Sequence, residues 1–220
     1  GLPIVSHVYN IAKKISGKKI IVVCNKKNHH ELELLLTDCK LIIQKFQKGT
    51  ADAIETAKPY IKTKNIIVLF GDVPLITHSS LTKLIRSFRN NSFASMIAFK
   101  SSTPKGYGRV ILDNKKVEKV VEETNTSNSE KLINLCNSGI MMINKTFFFN
   151  NVKKIKFNKN KKERFLTDIF EIYFKKEIPF SYIVSSEDEM YGVNNLNDFN
   201  KVDKILQKRL VNQFIKKGVL

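Results

Sequence analysis

The most informative part of the hydrophobic pattern is an unbroken run of five apolar residues, 66–70, followed by Gly71-Asp72. A short apolar run without alternation is typical of a strand buried on both faces in the middle of a parallel sheet. Open α/β sheets bind ligands just beyond the carboxyl ends of such strands. The pattern therefore leaves two interpretations open: Asp72 contacts a ligand, or Asp72 closes an ordinary turn.

Helix-like and strand-like periodicities alternate along the first hundred residues. The predicted strands are 19–24, 40–44, 66–70 and 93–100, and the predicted helices are 4–15, 29–36, 49–60 and 79–88, the last capped by Ser79. Short connections between alternating strands and helices predict an α/β fold, with a Rossmann-like, doubly wound and mostly parallel sheet.

After residue 101 the regular alternation of strands and helices gives way to shorter β segments. Segments 109–112 and 117–121 are predicted to form a hairpin joined at Asp113-Asn114. Further strands are predicted at 139–143 and 178–184, a helix at 167–175, and a long amphipathic helix at 197–217.

Composition narrows the classes of function. The chain has 220 residues, is 42% hydrophobic and carries a formal net charge of +18, most of it from lysines spread along its length. A nucleic-acid-binding protein is the alternative from a different class, and it predicts clustered arginines or aromatic platforms and a steep salt dependence. Neither cluster is present, and no apolar run is long enough to cross a bilayer. The sequence therefore predicts no nucleic-acid partner and no membrane partner.

Three cysteines, Cys24, Cys39 and Cys136, are widely spaced and follow no metal-binding pattern. This arrangement suits a reducing compartment better than a disulfide framework.

Gln44 and Gln47 precede Gly49-Thr50 between a predicted strand and a predicted helix. A glutamine amide both donates and accepts hydrogen bonds, so the pair can read the amide-like edge of a pyrimidine. Gly49 lets main-chain groups approach a base, and the start of the helix offers free N–H groups. A polar strand-to-helix turn is the alternative interpretation.

Three further positions carry candidate chemistry. The loop Gly106-Tyr107-Gly108 offers a bulky ligand a surface, and the following Arg109 could meet a phosphate, although an ordinary Gly-rich turn has the same pattern. Glu122 and Asn137 could hydrogen-bond sugar hydroxyls or cap strand ends. Asn194, after Gly192, could bring an oxygen ligand to Mg²⁺.

In combination and in this order, the motifs resemble one family. QKFQKGTADAI, LFGDVPLI, KGYGRVI and YGVNN are similar to the uridylyltransferase domain of bacterial N-acetylglucosamine-1-phosphate uridylyltransferases. The resemblance implies transfer of UMP from UTP to N-acetylglucosamine 1-phosphate with Mg²⁺, in the cytoplasm, for cell-wall precursor synthesis. It also implies a homotrimer for the full-length form. A related sugar-phosphate nucleotidyltransferase and an impaired uridine-nucleotide-binding fragment are the alternatives.

The resemblance also implies roles for individual residues. The nucleotide-binding residues would be Gln44, Gln47, Gly49, Thr50, Phe70, Gly71 and Asp72. The sugar-binding residues would be Gly108, Glu122, Asn137, Thr167 and Asn194. Asp72 and Asn194 would bind Mg²⁺, with Asp72 as the catalytic residue through the metal rather than as a base. Residues 1–220 would form one nucleotidyltransferase domain, with a small β-rich sugar-binding part at 101–165 and a linking helix at 197–217.

The sequence departs from this family in a few places. The family opens with a central strand and a Gly-rich LAAGxGTRM loop around the triphosphate, and an acetyltransferase domain usually follows. This chain starts after the loop, so it would be an internal piece of a longer protein or a natural truncation, and the missing Met favours the first. By itself we expect it to be unstable and to catalyse little, because loss of a central strand leaves backbone groups unpaired. Thr124 replaces a common Lys, and Arg164-Phe165 replaces an aromatic pair without much effect on the fold.

Overall fold

The computed structural model describes residues 1–89, 92–158 and 161–218, so parts of the predicted ranges 1–220 and 101–165 lie outside the described residues. The strands are β1 (Ile21–Cys24), β2 (Lys40–Ile43), β3 (Asn65–Val68), β4 (Ala94–Lys100), β5 (Arg109–Asp113), β6 (Lys116–Val121), β7 (Leu135–Asn144) and β8 (Phe180–Ser185). The helices are α1 (Ile4–Ser16), α2 (His29–Leu35), α3 (Thr50–Ala57), α4 (His78–Arg89), α5 (Asn128–Lys131), α6 (Lys145–Asn151), α7 (Asp168–Lys175) and α8 (Leu196–Lys216).

The strands form two sheets. β1 and β2 pair in parallel with each other, and the larger sheet has the order β6-β5-β7-β4-β8, with β3 paired to β7. Because β3 and β4 are both antiparallel to β7, they run in the same direction, and β8 runs parallel to β4. The predicted α/β fold with a mostly parallel central sheet is confirmed, and β7 is the reversed strand inserted between β3 and β4.

Helices cover both faces of the larger sheet, as a doubly wound fold requires. Along β4, Met96 and Ala98 point into a core shared with α3 and α7, whereas Ile97 and Phe99 point into a second core shared with α4. All four side chains are fully buried. Burial of a side chain such as Ile97 or Phe99 contributes about 1.5–3 kcal/mol, so this alternation is a main source of the stability of the sheet.

The prediction that residues 66–70 form a strand buried on both faces in a parallel environment is wrong in detail. β3 ends at Val68, its residues are only half-buried, and it pairs in antiparallel fashion with β7. Among the described residues β7 is its only strand partner. Leu69 and Phe70 continue as the loop that leads to Asp72.

Two local predictions also need correction. α4 begins at His78, so Ser79 is not its cap, and the Thr77 hydroxyl accepts the Ser80 N–H at 3.1 Å instead. The β5–β6 turn lies one residue later than predicted, at Asn114-Lys115, which have φ angles of 47° and 66°. Positive φ at both turn residues is the geometry that matches the twist of a tight hairpin.

The long helix predicted at 197–217 is present as α8, and Val202 is its buried residue. Phe199, Leu210 and Phe214 on its apolar side remain exposed. Within residues 1–89, 92–158 and 161–218, none of the helices combines the length and apolarity needed to span a membrane.

Candidate active site

The predicted pyrimidine-reading residues lie in the loop that connects β2 to α3. Gln44 is half-buried and Gln47 is exposed, and both line one cleft of about 1350 Å³. The amide nitrogen Nε2 of Gln44 donates to Asp52 Oδ2 at 2.9 Å and to the Gly49 carbonyl oxygen at 3.3 Å. The loop therefore presents both glutamines to the same open space.

Gly49 is required by the backbone of a distant segment, residues 163–167, which we call the strap. Gly49 has a φ of 97°, and a Cβ there would lie 2.5 Å from the carbonyl oxygen and 2.8 Å from the amide nitrogen of Arg164. The Arg164 N–H donates to the Lys48 carbonyl oxygen at 2.8 Å. The structure thus gives Gly49 a packing role besides the predicted approach of main-chain groups to a base.

The Arg164 side chain fixes the strap to α3. Its guanidinium nitrogen NH2 lies 3.2 Å from Asp52 Oδ1 and also pairs with Glu55 Oε2. All three side chains are largely shielded from solvent, with exposed fractions of 19%, 23% and 27%. Partial burial makes such charge-assisted contacts stronger than surface ion pairs.

The strap continues from the nucleotide loop to the predicted sugar-binding residues. The Leu166 N–H donates to Thr50 Oγ1 at 3.0 Å, and the hydroxyl of the next residue, Thr167, donates to Glu122 Oε1 at 2.8 Å. Thr167 precedes α7, but its hydroxyl bonds to Glu122 rather than capping that helix. Two consecutive residues therefore join the two predicted halves of the site.

Gly108, Glu122, Asn137 and Thr167 are brought together by β5, β6 and β7. A Cβ at Gly108 would lie 3.4 Å from Glu122 Oε2, so the missing side chain leaves room beside that carboxyl group. The Asn137 N–H donates to the Gly108 carbonyl oxygen at 2.8 Å, and Asn137 Oδ1 accepts the Gly139 N–H at 3.0 Å. Four of the five predicted sugar-binding residues therefore lie together in space, and the fifth, Asn194, lies beside Gly192.

Two carboxyl groups in this cluster have raised pKa values. Burial raises the pKa of Glu122, partly opposed by the hydrogen bond from Thr167, and the nearby Glu163 raises it further. Burial, with a smaller contribution from the Glu122 charge, raises the pKa of Asp168 to about 6. A raised pKa favours the protonated form of a carboxyl group, which can donate as well as accept hydrogen bonds.

The interpretation of Arg109 as a phosphate contact is wrong. Arg109 is 1% exposed, its guanidinium lies 2.7 Å from Glu123 Oε2, and it also donates to the Tyr107 carbonyl oxygen. This pairing lowers the pKa of Glu123. Tyr107 packs edge-on against Phe99, with 4.9 Å between ring centroids, and burial raises its pKa to about 12. The Gly-rich loop is therefore anchored inward by its own side chains.

Asp72 and Asn194 approach each other across Gly192. A Cβ at Gly192 would lie 3.6 Å from Asp72 Oδ2 and 3.7 Å from Asn194 Nδ2, and the Val193 N–H donates to the Asp72 carbonyl oxygen at 2.8 Å. Mg²⁺ takes one or two protein oxygens and completes its shell with water and phosphate. A carboxylate and a side-chain amide, whose carbonyl oxygen would be the ligand, are groups of the kind that this requirement asks for. Among the described residues there is no cluster of three or more His, Cys, Asp or Glu side chains arranged for a metal.

Phe70 and Gly71 lie at the start of the loop that carries Asp72. A Cβ at Gly139 would lie 2.6 Å from Phe70 Cε2, so the ring lies directly against the Gly139 backbone. Gly71 is exposed, and a Cβ there would lie 3.5 Å from Val5 Cγ2 of α1. The loop is thus supported from one side by Phe70 and flanked on the other by α1.

A comparison with known proteins shows the family of this chain. The model of the family described as nucleotidyl transferase matches residues 1–208. The chain belongs to the nucleotidyl transferase family. Similar curated proteins include the "Bifunctional protein GlmU" of Campylobacter jejuni, 30% identical over 218 residues that are 97% of this chain and 50% of that protein. The protein of the same name from Buchnera aphidicola is 36% identical over 224 residues, 100% of this chain and 48% of that protein.

This nucleotidyl transferase chain thus spans about half the length of the curated relatives that it matches. A solved structure of CMP:2-keto-3-deoxy-manno-octonic acid synthetase complexed with CTP has a TM-score of 0.70 and 15% identity, covering 95% of this chain and 89% of that chain. That likeness supports the fold. The resemblance predicted from the motifs is confirmed at the level of the family and of these relatives.

Three residues of this nucleotidyl transferase that shape the site were not predicted to take part in it. Asp52 and Arg164 brace the nucleotide loop, and Asp168 extends the carboxyl cluster at the sugar end. A weak signal for the first pair existed, because Asp52 and Glu55 are three residues apart on one face of a helix and imply a cationic partner. Asp168 offered no signal, since an acidic residue in the first turn of a helix is common.

Proposed function

We propose that the chain carries the site at which UMP is transferred from UTP to N-acetylglucosamine 1-phosphate, giving UDP-N-acetylglucosamine and pyrophosphate. The observation that carries the proposal is the strap, in which Leu166 contacts Thr50 and the adjacent Thr167 contacts Glu122. A nucleotide at the first residue and a sugar at the second would lie side by side. Direct transfer between two bound substrates requires this proximity, because it converts a bimolecular reaction into one within a single complex.

In the proposed reaction a phosphate oxygen of the sugar phosphate attacks the α-phosphorus of UTP in line. A new P–O bond forms as the bond from the α-phosphorus to the α–β bridging oxygen breaks, and pyrophosphate leaves with that electron pair. Gln44 and Gln47 would hold the uracil, with Gly49 and Thr50 shaping the loop around it. Glu122, Asn137 and Thr167 would hold sugar hydroxyls beside Gly108. The chain itself positions the reactants and forms no covalent intermediate.

The residues that would hold Mg²⁺ are Asp72 and Asn194, whose side chains converge at Gly192. When bound, the ion would neutralise charge that builds up on the phosphate oxygens. Asp72 acts in this proposal as a metal ligand. The Asp72 carbonyl oxygen accepts the Val193 N–H, so the backbone segments that carry the two candidate ligands are joined directly.

The charge of the cleft supports an anionic substrate. Its walls include the exposed side chains of Lys26, Lys27, Lys45, Lys48 and Lys162. Lysines around a concave surface raise the local concentration of anions such as a nucleoside triphosphate. As part of the same proposal, the reaction takes place in the cytoplasm, where the three free cysteines would remain reduced, and the full-length protein assembles as a homotrimer.

The proposal is tested by following pyrophosphate release from UTP, N-acetylglucosamine 1-phosphate and Mg²⁺, with each component omitted in turn. We expect release only when all three are present, and less release with glucosamine 1-phosphate as acceptor or with CTP as donor. Asp72→Ala is expected to lower the rate by about 100-fold or more, the size typical of losing a group that stabilises developing charge.

Asp113→Ala is the matched control, because Asp113 is an exposed aspartate at the β5–β6 turn. It should leave the rate unchanged. Calorimetry with UTP separates binding from chemistry. Uridine-nucleotide binding without turnover would support the alternative of a nucleotide-binding chain. Absence of both binding and turnover would remove the uridylyltransferase proposal altogether.

A further inference from the structure

The orientation of the Gln44 amide is set by its neighbours. Asp52 Oδ2 at 2.9 Å and the Gly49 carbonyl oxygen at 3.3 Å both accept hydrogen bonds, and neither a carboxylate nor a carbonyl can donate. Only the NH₂ end of the Gln44 amide can satisfy them. The hydrogen-bonding chemistry of the two partners therefore fixes the orientation of the amide.

Both hydrogens of this NH₂ group are used by these two bonds. An amide nitrogen carries two N–H donors, so none is left for a ligand. The carbonyl oxygen Oε1 of Gln44 has no hydrogen bond among the described residues, and Gln44 lines the cleft. Gln44 is thus an acceptor toward anything bound there.

Asp52 is itself held in place. Arg164 of the strap lies 3.2 Å from Asp52 Oδ1, which leaves Oδ2 for Gln44. Arg164 in turn is fixed by Glu55 and by the backbone contact of the strap with Lys48. The contacts from Arg164 through Asp52 therefore supply the shorter of the two hydrogen bonds that turn the NH₂ end of Gln44 away from the cleft.

We propose that Asp52, held by Arg164, is a specificity-determining residue that makes Gln44 select a nucleobase with an N–H group at N3. This inference rests on the proposed function, because it concerns the base of the nucleotide that enters this cleft. Uracil carries a hydrogen on N3 and can donate it to Gln44 Oε1. Cytosine has a lone pair at N3, which would face the lone pairs of Oε1. The network thus rejects CTP by placing acceptor against acceptor, which costs more than the absence of a contact.

The first experiment uses the unmodified protein and measures binding of UTP, CTP and N3-methyl-UTP by calorimetry. We expect UTP to bind at least about tenfold more tightly than either of the others, since each leaves a polar group of the site unpaired. Equal binding of UTP and N3-methyl-UTP would overturn the inference, because the methyl group removes the hydrogen on which it depends.

The second experiment compares Asp52→Asn with Glu55→Gln. In Asp52→Asn the new side-chain amide can donate its own NH₂ to Gln44. The Gln44 amide can then turn and offer N–H to the cleft, at the cost of its longer bond of 3.3 Å to the Gly49 carbonyl oxygen. We expect the ratio of CTP to UTP dissociation constants to fall to about threefold or less in this variant, a loss comparable to one hydrogen bond. Glu55→Gln also removes a charge that faces Arg164, but no hydrogen bond among the described residues joins Glu55 to Gln44. Its ratio should stay near that of the unmodified protein.

The outcomes distinguish the inference about Asp52 from the proposed function of the chain. If the unmodified protein prefers UTP and Asp52→Asn keeps the same preference while remaining folded by circular dichroism, the inference is wrong and the proposed function stands. If both variants lose the preference equally, the selectivity depends on loop stability rather than on the Asp52–Gln44 contact, which also overturns the inference. If the unmodified protein binds no uridine nucleotide, the proposed function fails and the inference fails with it.

Discussion

The loop 44–50 at the nucleotide end and the cluster around Glu122 at the sugar end are held by different forces. The loop is mostly exposed and is oriented from outside, through Asp52 and the strap. The sugar end is built from β5, β6 and β7, and its Thr167 is buried, as is the neighbouring Arg109. Substitutions at the nucleotide end should therefore change recognition more than stability. Substitutions at the sugar end should change stability first, because the same residues belong to the core.

Gly49 is the exception at the nucleotide end, because there the loop 44–50 packs backbone to backbone on the strap. A substitution at Gly49 should therefore lower stability as well as recognition. In Gly49→Ala the new Cβ would lie 2.5 Å from a carbonyl oxygen at a φ of 97°. We expect a loss of about 4 kcal/mol in the free energy of unfolding, from backbone strain plus overpacking, together with loss of UTP binding. Urea denaturation followed by circular dichroism measures the first quantity.

Gly106→Ala is the control at the sugar end. Gly106 has a similar φ of 92°, but nothing lies within 4 Å of its Cβ position. Gly106→Ala should lower the free energy of unfolding by only about 1 kcal/mol, the cost of placing an alanine at a positive φ. Equal losses in the two variants would show that the strap yields easily and that the nucleotide loop is not fixed by this packing.

The next largest effect is expected at the sugar end, at the ion pair of Arg109 with Glu123. Glu123→Ala leaves the Arg109 guanidinium, whose side chain is 2% exposed, without its carboxylate at 2.7 Å. An unpaired buried charge costs about 3 kcal/mol, and thermal or urea unfolding should show that loss.

A surface pair provides the control for Glu123→Ala. Lys175→Gln breaks the pair with Glu171, in which the lysine side chain is 70% exposed, and should cost less than about 0.5 kcal/mol. If Glu123→Ala costs no more than Lys175→Gln, the loop before Arg109 is not anchored by the pair, and the sugar end is less rigid than we infer.

The sequence predicts the positions of the helices and strands better than it predicts how the strands pair. Helical and strand periodicity located most elements, because each buries one stripe or face and that burial leaves a regular pattern. The same pattern could not show that β3 pairs in antiparallel fashion with β7, since an apolar run records burial of side chains but not pairing of backbones. Only the structure shows this pairing and the half-buried state of β3.

Long-range contacts explain the rest of what the sequence missed. Gln44 was identified as a candidate from its amide chemistry, but its orientation depends on Asp52 and, through it, on Arg164, 112 residues further along the chain. Arg109 looked available to a phosphate because its partner Glu123 is supplied only when β5 and β6 pair. Composition and local spacing carry no information about such partners.

The pH dependence of stability offers a smaller effect that is specific to the sugar end. Burial raises the pKa of Asp168 to about 6, from an ordinary value of 3.8. The folded state then binds a proton more readily than the unfolded state, so this group makes stability fall as pH rises from about 4 to about 6. Asp168→Asn removes the cost of burying the charge. At pH 7 it should therefore raise the free energy of unfolding by about 1–2 kcal/mol, reduced from the full linkage value because Asp168 is partly exposed.

Urea unfolding of both proteins at pH 4 and at pH 7 tests whether the gain in the free energy of unfolding appears only at the higher pH. At about pH 4 the Asp168 carboxyl group is largely protonated in the folded state, and the amide of the Asp168→Asn variant is neutral at any pH, so the two proteins should differ little. Asp188→Asn is the control in an exposed 3₁₀ turn and should show no comparable gain at pH 7. A gain for Asp168→Asn that is larger at pH 4 than at pH 7 would contradict the assignment.

The smallest effect is expected from the exposed lysines of the nucleotide cleft. Lys27→Gln and Lys45→Gln each remove one charge from its wall without disturbing a described ion pair. Each should weaken UTP binding by about twofold to threefold at low salt, since solvent reduces a single exposed charge to a fraction of a kcal/mol. At about 1 M salt the Debye length is near 3 Å, so the difference from the unmodified protein should vanish. Lys14→Gln, on α1 outside the cleft, should have no effect at either salt concentration. A loss of binding that persists at high salt would instead indicate a direct hydrogen bond from the lysine to the nucleotide. The nucleotide end would then recognise its ligand by fixed contacts, as the sugar end is expected to do.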